Sequence, residues 1–310
     1  MPNDNRRDRG HDLFVTAADG LRLHVRQYGS HSDPGLPVVC LPGLSRTTAD
    51  FDALAPALAT DAGLKRWVIA IDSRGRGLSE YDSKPENYNV VVELADVVTV
   101  LTTLGIGPAI FIGSSRGGIL TLLIGATRPE AIAGVVLHDI GPVIEPAGLT
   151  RIKSYLGKIA QPRTFEDGAS ILRNLFGAQF PKVTAMQWLA AAHRAWRKED
   201  DELKPTYDVR MALPLAGVDT EKPLPAMWKE FDSLLRVPML VIRGANSDIL
   251  SVETVEAMAA HHPGMEVVEV PDQGHVPLFE GELVLQVNRF VAGCEKARTT
   301  AAPAEGRGAR

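Results

Sequence analysis

The sequence contains few cysteines, no long apolar run and no cluster of metal-binding residues. Its two cysteines, Cys40 and Cys294, lie too far apart in the sequence to suggest a disulfide framework, which favours a reducing, cytoplasmic setting. No run approaches the length of a membrane span, and the charged first residues lack the apolar segment of a signal peptide. The eight histidines include no H-x-x-x-H pair, so the sequence predicts no metal site.

No stretch of the chain is strongly basic. The formal net charge is −5 and there is no basic stripe, which argues against a nucleic-acid partner. The 310 residues, 45% of them apolar, can bury a large core in one domain with or without an insertion. We therefore expect a small-molecule substrate, no cofactor, no metal and no membrane partner, and the sequence leaves a homodimer open.

Short apolar runs alternate with helical patterns along most of the chain. Residues 13–16 and 21–28 flank a turn and predict a β-hairpin. Six further strands are predicted at 38–43, 67–72, 109–113, 134–139, 238–244 and 265–270, and two helical patterns lie at 48–58 and 88–104. This alternation predicts an α/β fold with a mostly parallel, doubly wound sheet that carries helices on both faces.

The strand pattern stops in the middle of the chain. Residues 143–235 show helical patterns without strands, and we interpret them as a helical cap inserted over the carboxyl edge of the sheet, where doubly wound proteins bind ligands. An independent helical domain packed elsewhere is the alternative. The predicted organisation is a flexible segment at 1–12, a core at 13–142 and 236–297, the cap at 143–235 and a disordered tail at 298–310.

A tight turn joins the strand at 109–113 to the apolar helical stretch behind it. Its residues, Gly113-Ser114-Ser115-Arg116-Gly117, fit the G-x-S-x-G nucleophile elbow, which holds a serine on a strained strand-to-helix corner. The two glycines let the backbone reverse without a clash at Cβ. An ordinary Gly/Ser loop is the alternative, but the strand before the turn and the helix after it favour Ser115 as a nucleophile.

A serine nucleophile needs a base to take its proton and a third group to orient that base. His275 follows the last predicted strand on a glycine-containing loop, from which it can reach back over the sheet to Ser115. Asp248, just beyond the penultimate strand, gives the chain order Ser, Asp, His, and we predict that it orients the imidazole. Asp139 also follows a strand directly and is the alternative acid.

A negative charge that develops on a substrate oxygen needs donors already in place. We predict that the oxyanion hole consists of the backbone N–H of Arg116, next to the nucleophile, and that of Leu44, in the loop after the third strand. The Arg116 side chain has two interpretations, a contact with a substrate carboxylate or an ion pair with an acid on the cap. In the loop after the fourth strand, we expect Asp72 and Arg74 to pair with each other.

Five short motifs together resemble the α/β-hydrolase superfamily over about residues 13 to 296; they lie at 41–44, 72–79, 113–118, 244–248 and 274–275. The resemblance implies that fold and a triad of serine, acid and histidine. It leaves the substrate open, because this superfamily hosts esterases, lactonases, thioesterases, carbon-carbon bond hydrolases and cofactor-free haloperoxidases on one frame. Epoxide hydrolases and haloalkane dehalogenases also resemble this chain, but they use an aspartate nucleophile.

The chain departs from its relatives at a few positions near the predicted site. Pro42-Gly43 stands where relatives commonly have His-Gly, and Arg116 replaces an apolar residue or Gln. Val276 and Ser114 stand where hydrolases of aromatic ring-fission products tend to have Trp and Asn, which disfavours that activity. We predict a serine hydrolase that cleaves a small to medium carboxylic ester or lactone through an acyl-enzyme on Ser115. A carbon-carbon bond hydrolase acting on a dienoate or diketone and a catalytically silent ligand-binding protein of the same fold are the alternatives.

Overall fold

The computed structural model describes residues 10–219 and 222–301. The strands within those ranges are His11–Thr16 (β1), Arg22–Tyr28 (β2), Val38–Leu41 (β3), Val68–Ile71 (β4), Ala109–Ser114 (β5), Ile132–His138 (β6), Trp196–Glu199 (β7), Glu202–Pro205 (β8), Met239–Gly244 (β9) and Glu266–Val270 (β10). The α-helices are Ala55–Ala59 (α1), Val90–Thr103 (α2), Arg116–Thr127 (α3), Pro146–Tyr155 (α4), Phe165–Phe176 (α5), Ala185–Ala195 (α6), Ala212–Ala216 (α7), Trp228–Asp232 (α8), Val252–His261 (α9) and Gly281–Ala301 (α10).

Eight of these strands form one sheet in the order β1-β2-β4-β3-β5-β6-β9-β10. The hairpin β1–β2 is antiparallel and β2 pairs antiparallel with β4, whereas the remaining neighbours in the sheet are parallel. The predicted α/β fold with a mostly parallel sheet is therefore confirmed. The helix predicted at 48–58 is divided into a 3-10 helix, Thr48–Phe51, and α1.

Both faces of the central strands β3, β4, β5 and β9 are buried. In β5, Ala109 and Phe111 belong to one apolar cluster, whereas Ile110 and Ile112 belong to another. Helices α2, α3, α8 and α9 contribute to the first cluster, and α1 and α10 contribute to the second. Because successive side chains of a strand point to opposite faces, a strand that is covered on both sides is mostly apolar, as β5 is over residues 109–112.

Helices α4 to α7 and the hairpin β7–β8 lie between β6 and α8, and we call residues 146–216 the cap. The prediction that this region has no strands is wrong. Trp196 pairs with Pro205 in the hairpin, and Asp200 and Asp201 form its turn with φ angles of 49° and 65°. Aspartate tolerates this left-handed backbone, so the charged run that interrupts the helical pattern is a hairpin turn.

The cap has an apolar cluster of its own, which includes Leu172, Trp188 and Trp196. Helix α8, which the sequence prediction assigned to the insertion, packs instead on the sheet. Its Phe231 and the following Leu234 belong to the apolar cluster on one sheet face. The domain boundaries within the chain stay a prediction.

The predicted terminal segments fall partly outside the described ranges. Strand β1 begins at His11, within the segment predicted to be flexible, and α10 continues to Ala301, within the predicted tail. Residues 1–9 and 302–310, which carry the remainder of these two predictions, lie outside the described residues. Of the helices that the structure describes, none is both long and apolar enough to cross a membrane.

Candidate active site

Ser115 lies at the turn between β5 and α3, at the carboxyl edge of the sheet. Its backbone has φ 50° and ψ −113°, a conformation that residues with a side chain seldom adopt. A Cβ at Gly113 would lie 2.5 Å from the carbonyl oxygen of Gly117, and one at Gly117 would overlap with the carbonyl oxygen of Leu41. The strand-turn-helix arrangement predicted around Ser115 is present, and close backbone approach explains both glycines.

We expect Gly117→Ala to lower the free energy of unfolding by about 1 to 3 kcal/mol or more. The added methyl group meets the backbone of Leu41 in β3, which cannot move aside as a flexible side chain could. Gly107→Ala is the matched control, since no atom lies within 4 Å of its added Cβ. Denaturant unfolding of both variants measures the difference. Equal stability of the two variants would contradict the close approach.

His275 connects Ser115 to an acid. Its Nε2 lies 2.8 Å from Ser115 Oγ, and its Nδ1 lies 2.8 Å from Asp139 Oδ2. The imidazole follows β10 on the loop predicted for it, and Asp139 directly follows β6, the neighbour of β5 in the sheet. Three side chains that are distant in the sequence thus form one chain of hydrogen bonds at the carboxyl edge.

Asp139 is completely buried, and its carboxylate is hydrogen-bonded on both oxygens. Its Oδ1 accepts the backbone N–H of Gly244 at 2.8 Å, and its Oδ2 accepts the hydroxyl of Ser247 at 2.7 Å in addition to the contact with His275. These donors compensate for the loss of water around the charge and fix the direction of both oxygens. The carboxylate is therefore held rigidly against the imidazole.

The structure contradicts the predicted contact between Asp248 and His275. Arg151, on α4 of the cap, donates to both oxygens of the Asp248 carboxylate at 2.6 and 2.8 Å. Burial raises the pKa of Asp248, but the hydrogen bonds and charge of Arg151 outweigh it and hold that pKa below its ordinary value. The alternative acid, Asp139, has the position beside the histidine, and Asp248 joins the cap to the core.

A second histidine, His138, lies beside the site and was not singled out in the sequence. Its Nδ1 lies 2.7 Å from Ser114 Oγ, and its ring packs 4.1 Å from that of Phe279. Burial lowers the pKa of His138 to about 4, so the imidazole is neutral near pH 7. Its position at the end of β6, one residue before Asp139, is the sequence signal that could have drawn attention to it.

The two predicted oxyanion donors lie near Ser115. Arg116 is the first residue of α3, so its N–H has no acceptor within the helix. Leu44 follows Gly43, whose added Cβ would lie 3.6 Å from the Cβ of Ser115. Among the described residues, neither N–H donates a hydrogen bond to the protein. Their role in binding an oxyanion stays a prediction.

The Arg116 side chain forms an ion pair. Its Nε donates to Glu93 Oε2 at 2.8 Å. Glu93 lies on α2, in the core, whereas the sequence interpretation placed such an acid on the cap. The contact with Glu93 favours the ion-pair interpretation over a substrate carboxylate.

Asp72 and Arg74 do not pair with each other as predicted. Asp72 accepts from the His24 ring and from the backbone N–H of Thr48, each at 2.7 Å. Arg74 binds both oxygens of Asp96 at 2.7 Å. The loop after β4 is thus tied to three neighbouring elements, which spacing within the loop could not indicate.

A cavity of about 430 Å³ lies between the sheet edge and the cap, and Ser115 and His275 form part of its wall. Most of the cap residues around it are apolar; they include Ile152, Ile159, Leu172, Phe176, Phe180, Val183 and Trp188. Its size is within the range of about 300 to 1,000 Å³ that is usual for small-molecule sites. The cap therefore covers Ser115 and His275 and encloses space for a small molecule.

Two arginines and an aspartate lie together on the cavity wall. Arg46 holds both oxygens of Asp50, at 2.7 and 2.5 Å. Arg194, near the end of α6, lies 3.6 Å from the same carboxylate, and 22% of its side chain is exposed. Asp50 is already paired with Arg46, which leaves Arg194 as the less completely paired of the two arginines. Asp52 and Glu280 also line this cavity. Sequence spacing could not have found this group, because its members come from the core and from the cap.

The sequence matches the alpha/beta hydrolase family over residues 38–287. The chain belongs to this family. A 3-hydroxybutyrate-oligomer hydrolase of Cupriavidus necator is 34% identical to it over 275 residues, which is 86% of this chain and 92% of that protein. A 2-(acetamidomethylene)succinate hydrolase of Mesorhizobium japonicum is 27% identical over 257 residues, which is 82% of this chain and 85% of that protein.

A solved structure supports the same assignment. An alpha/beta hydrolase from Novosphingobium aromaticivorans is 38% identical to this chain and superposes with a TM-score of 0.85, covering 91% of this chain and 98% of that one. The chain is therefore an alpha/beta hydrolase, and the named relatives are hydrolases.

Proposed function

We propose that this alpha/beta hydrolase acts on esters through an acyl-enzyme on Ser115. The observation that carries the proposal is the pair of 2.8 Å contacts that join Asp139 to His275 and His275 to Ser115 at the cavity wall. This geometry lets a hydroxyl transfer its proton as it attacks, which is what an unactivated serine lacks. The chain order is Ser, Asp, His, with Asp139 as the acid.

In the first half of the reaction, Ser115 Oγ bonds to the ester carbonyl carbon while its proton moves to His275 Nε2. Asp139 stabilises the imidazolium and keeps the proton on Nδ1. The tetrahedral intermediate then breaks its bond to the alcohol oxygen, which takes the proton from His275 and leaves. In the second half, a water molecule gives its proton to His275, attacks the acyl group and releases the acid, and Ser115 recovers its proton.

The negative charge of each tetrahedral intermediate needs donors at the carbonyl oxygen. We assign this role to the N–H groups of Leu44 and Arg116, which flank the nucleophile and donate to no other described group. Because both are backbone groups, Arg116 at the turn beside Ser115 and Leu44 in the loop after β3, they are in place before the substrate arrives. Losing one such donor typically costs about 2.7 to 4 kcal/mol of transition-state stabilisation.

For the substrate, we propose a short oligoester of a hydroxy acid that ends in a free carboxylate. Three observations support this class: the cavity is mostly apolar with room for a few monomer units, Arg194 offers an incompletely paired cation on its wall, and the relative from Cupriavidus necator is a 3-hydroxybutyrate-oligomer hydrolase. Arg194 would bind the carboxylate and Ser115 would attack an ester carbonyl of the same molecule.

The experiment that tests the function compares three compounds with purified enzyme: a 3-hydroxybutyrate trimer, p-nitrophenyl butyrate and a vinylogous 1,5-diketone. We expect the trimer to have the highest kcat/KM and a fluorophosphonate to label Ser115. Faster cleavage of the diketone would show a carbon-carbon bond hydrolase instead. A lack of both labelling and turnover would show a ligand-binding protein.

We expect Arg194→Met to raise KM for the free-acid trimer by about 10- to 100-fold, the equivalent of about 1.5 to 3 kcal/mol for a charge-assisted hydrogen bond. The methionine keeps an apolar stem, so KM for the trimer methyl ester should stay within about twofold. Initial rates with both substrates measure the difference. An equal effect on both substrates would show that Arg194 contributes packing and not charge recognition.

We also propose a reducing, cytoplasmic setting. Cys40 and Cys294 are both buried free thiols, which is usual in proteins of reducing compartments. Burial raises the pKa of the Cys294 thiol to about 12, so it is protonated and unreactive near pH 7.

A further inference from the structure

The two residues to which we assign the oxyanion donors are joined by buried charged side chains. Arg76, in the loop after β4, donates from Nε to the carbonyl oxygen of Leu44 at 2.7 Å. Its Nη2 lies 2.9 Å from Glu93 Oε1, and the other oxygen of Glu93 accepts from Arg116 Nε at 2.8 Å. A continuous path therefore leads from Leu44 through Arg76 and Glu93 to Arg116.

The middle of the path, at Arg76 and Glu93, is shielded from water, whereas the Arg116 side chain is 20% exposed. Glu93 is completely buried, and Arg76 is 1% exposed. A second donor of Arg76, Nη1, is held by the carbonyl oxygen of Arg74 at 2.7 Å, which fixes the plane of the guanidinium. Burial of a carboxylate raises its pKa, but the charges of Arg76 and Arg116 outweigh this for Glu93, and its pKa is held below the ordinary value.

The group has two positive charges and one negative charge. Its net charge of about +1 lies behind the N–H groups that would face the oxyanion, in surroundings where charges are weakly screened. Among the described residues, Arg116 Nη2 and Glu93 Oε1 are buried without a hydrogen-bond partner, so the contact between Arg76 and Glu93 is an ion pair. The group thus has the sign that stabilises a developing negative charge on a substrate oxygen.

We propose that Arg76, Glu93 and Arg116 form a positioning network that holds the backbone donors of Leu44 and Arg116 in register around the oxyanion. The proposal rests on the serine hydrolase function proposed above. The three side chains touch no substrate; Arg76 acts through the Leu44 backbone and Glu93 acts through Arg116. Binding of the ground-state ester should depend little on them, whereas the tetrahedral intermediate should depend on them strongly.

The chain offers a matched control on the same helix. Asp96 is also buried on α2, three residues after Glu93, and binds both the Nε and the Nη2 of Arg74 at 2.7 Å. Asp96→Asn therefore removes a second buried, arginine-paired carboxylate from the same helix, and the direct contacts of Asp96 include neither Arg116 nor Leu44. A general loss of stability would affect this control and Glu93→Gln alike.

The test measures kcat and KM with p-nitrophenyl butyrate, the Ki of a trifluoromethyl ketone that forms an oxyanion adduct with serine, and Tm, for the purified full chain. We expect Glu93→Gln to lower kcat by about 10- to 100-fold. This loss is smaller than the loss of about 100- to 1,000-fold that is typical when a whole oxyanion donor is removed. KM should change by less than about twofold, and Ki should rise in proportion to the loss in kcat, because the ketone adduct resembles the intermediate. Asp96→Asn should lower Tm to a similar extent with nearly unchanged kcat.

Variants at Arg116 keep the test decisive if Glu93→Gln fails to fold. Arg116→Met should reproduce the loss of kcat, and Arg116→Lys should restore most of it by keeping the charge beside Glu93. Unchanged kcat in Arg116→Met, or a rise in KM in place of a fall in kcat, would overturn the positioning network. If the wild-type chain shows neither turnover nor labelling of Ser115, the proposed hydrolase function fails, which is a different result.

Discussion

Replacing Ser115 with alanine is expected to lower kcat by about 10⁴- to 10⁶-fold, since the residual rate would come only from binding and the oxyanion donors. Ser115 Oγ makes the 2.8 Å contact with His275 Nε2 and is the atom that would carry the acyl group. Alanine keeps the Cβ of the strained turn, so the fold should be retained. Steady-state kinetics with p-nitrophenyl butyrate, together with circular dichroism, measure both quantities.

The control for this substitution is Ser170→Ala, which removes an exposed hydroxyl from the cap helix α5 and should leave kcat unchanged. This control shows whether removal of a serine hydroxyl outside the site lowers kcat through a general loss of stability. Retention of more than about one tenth of the wild-type kcat by Ser115→Ala would contradict a nucleophilic role, given the size of the effect that removal of such a nucleophile has.

Asp139→Asn should lower kcat by about 10³- to 10⁴-fold, the range set by removal of the charge that orients a catalytic histidine. The amide of asparagine can donate to His275 Nδ1, which stabilises the tautomer with a proton on Nε2. That nitrogen then cannot accept the proton of Ser115. The backbone N–H of Gly244, which donates to Oδ1 of Asp139, should keep the asparagine oxygen in place, so that the amide nitrogen takes the position of Oδ2 beside His275.

Asp248→Asn provides the comparison, because Asp248 is the acid that the sequence analysis predicted. Its carboxylate is occupied by Arg151, so its neutralisation should weaken the contact between cap and core and lower kcat by less than about tenfold, in line with a partly exposed ion pair. Measuring kcat for the two variants gives the ranking. A larger loss in Asp248→Asn than in Asp139→Asn would contradict the assignment of the acid.

The parts of the site that the sequence could predict are those encoded by neighbouring residues. The turn around Ser115 is a local event, since the glycines at 113 and 117 and the change from a strand to a helix pattern lie within a few positions. His275 is likewise marked by its place in the short glycine-containing loop after the last strand. That Ser115 and His275 lie close together then follows from the rule that parallel strands end at the same edge of the sheet.

The choice between the two acids depended on contacts that are distant in the sequence. Asp139 and Asp248 both follow strands, and their local patterns are equally compatible with a contact to His275. What distinguishes them is Arg151, which is 97 positions from Asp248 and comes from a helix of the cap. No local pattern encodes the position of that guanidinium, and the same holds for the network between Arg76 and Arg116.

The cap also contains an element that the local sequence pattern could not predict, the hairpin β7–β8. The charged run at 197–202 has no apolar alternation from which a strand could be predicted, and its hairpin is defined by two aspartates with left-handed backbone. Trp196 pairs across this hairpin while it packs in the apolar cluster of the cap. Tertiary packing of a single large side chain thus decides a local structure that polar residues alone would leave open.

Rapid quenching of the enzyme with p-nitrophenyl butyrate, followed by mass spectrometry of the digested chain, tests the central proposal most directly. We predict a butyryl group on the peptide that contains Ser115, formed within the first turnover and absent from Ser115→Ala. Turnover without any acylated residue, or an acyl group on a different side chain, would contradict an acyl-enzyme on Ser115.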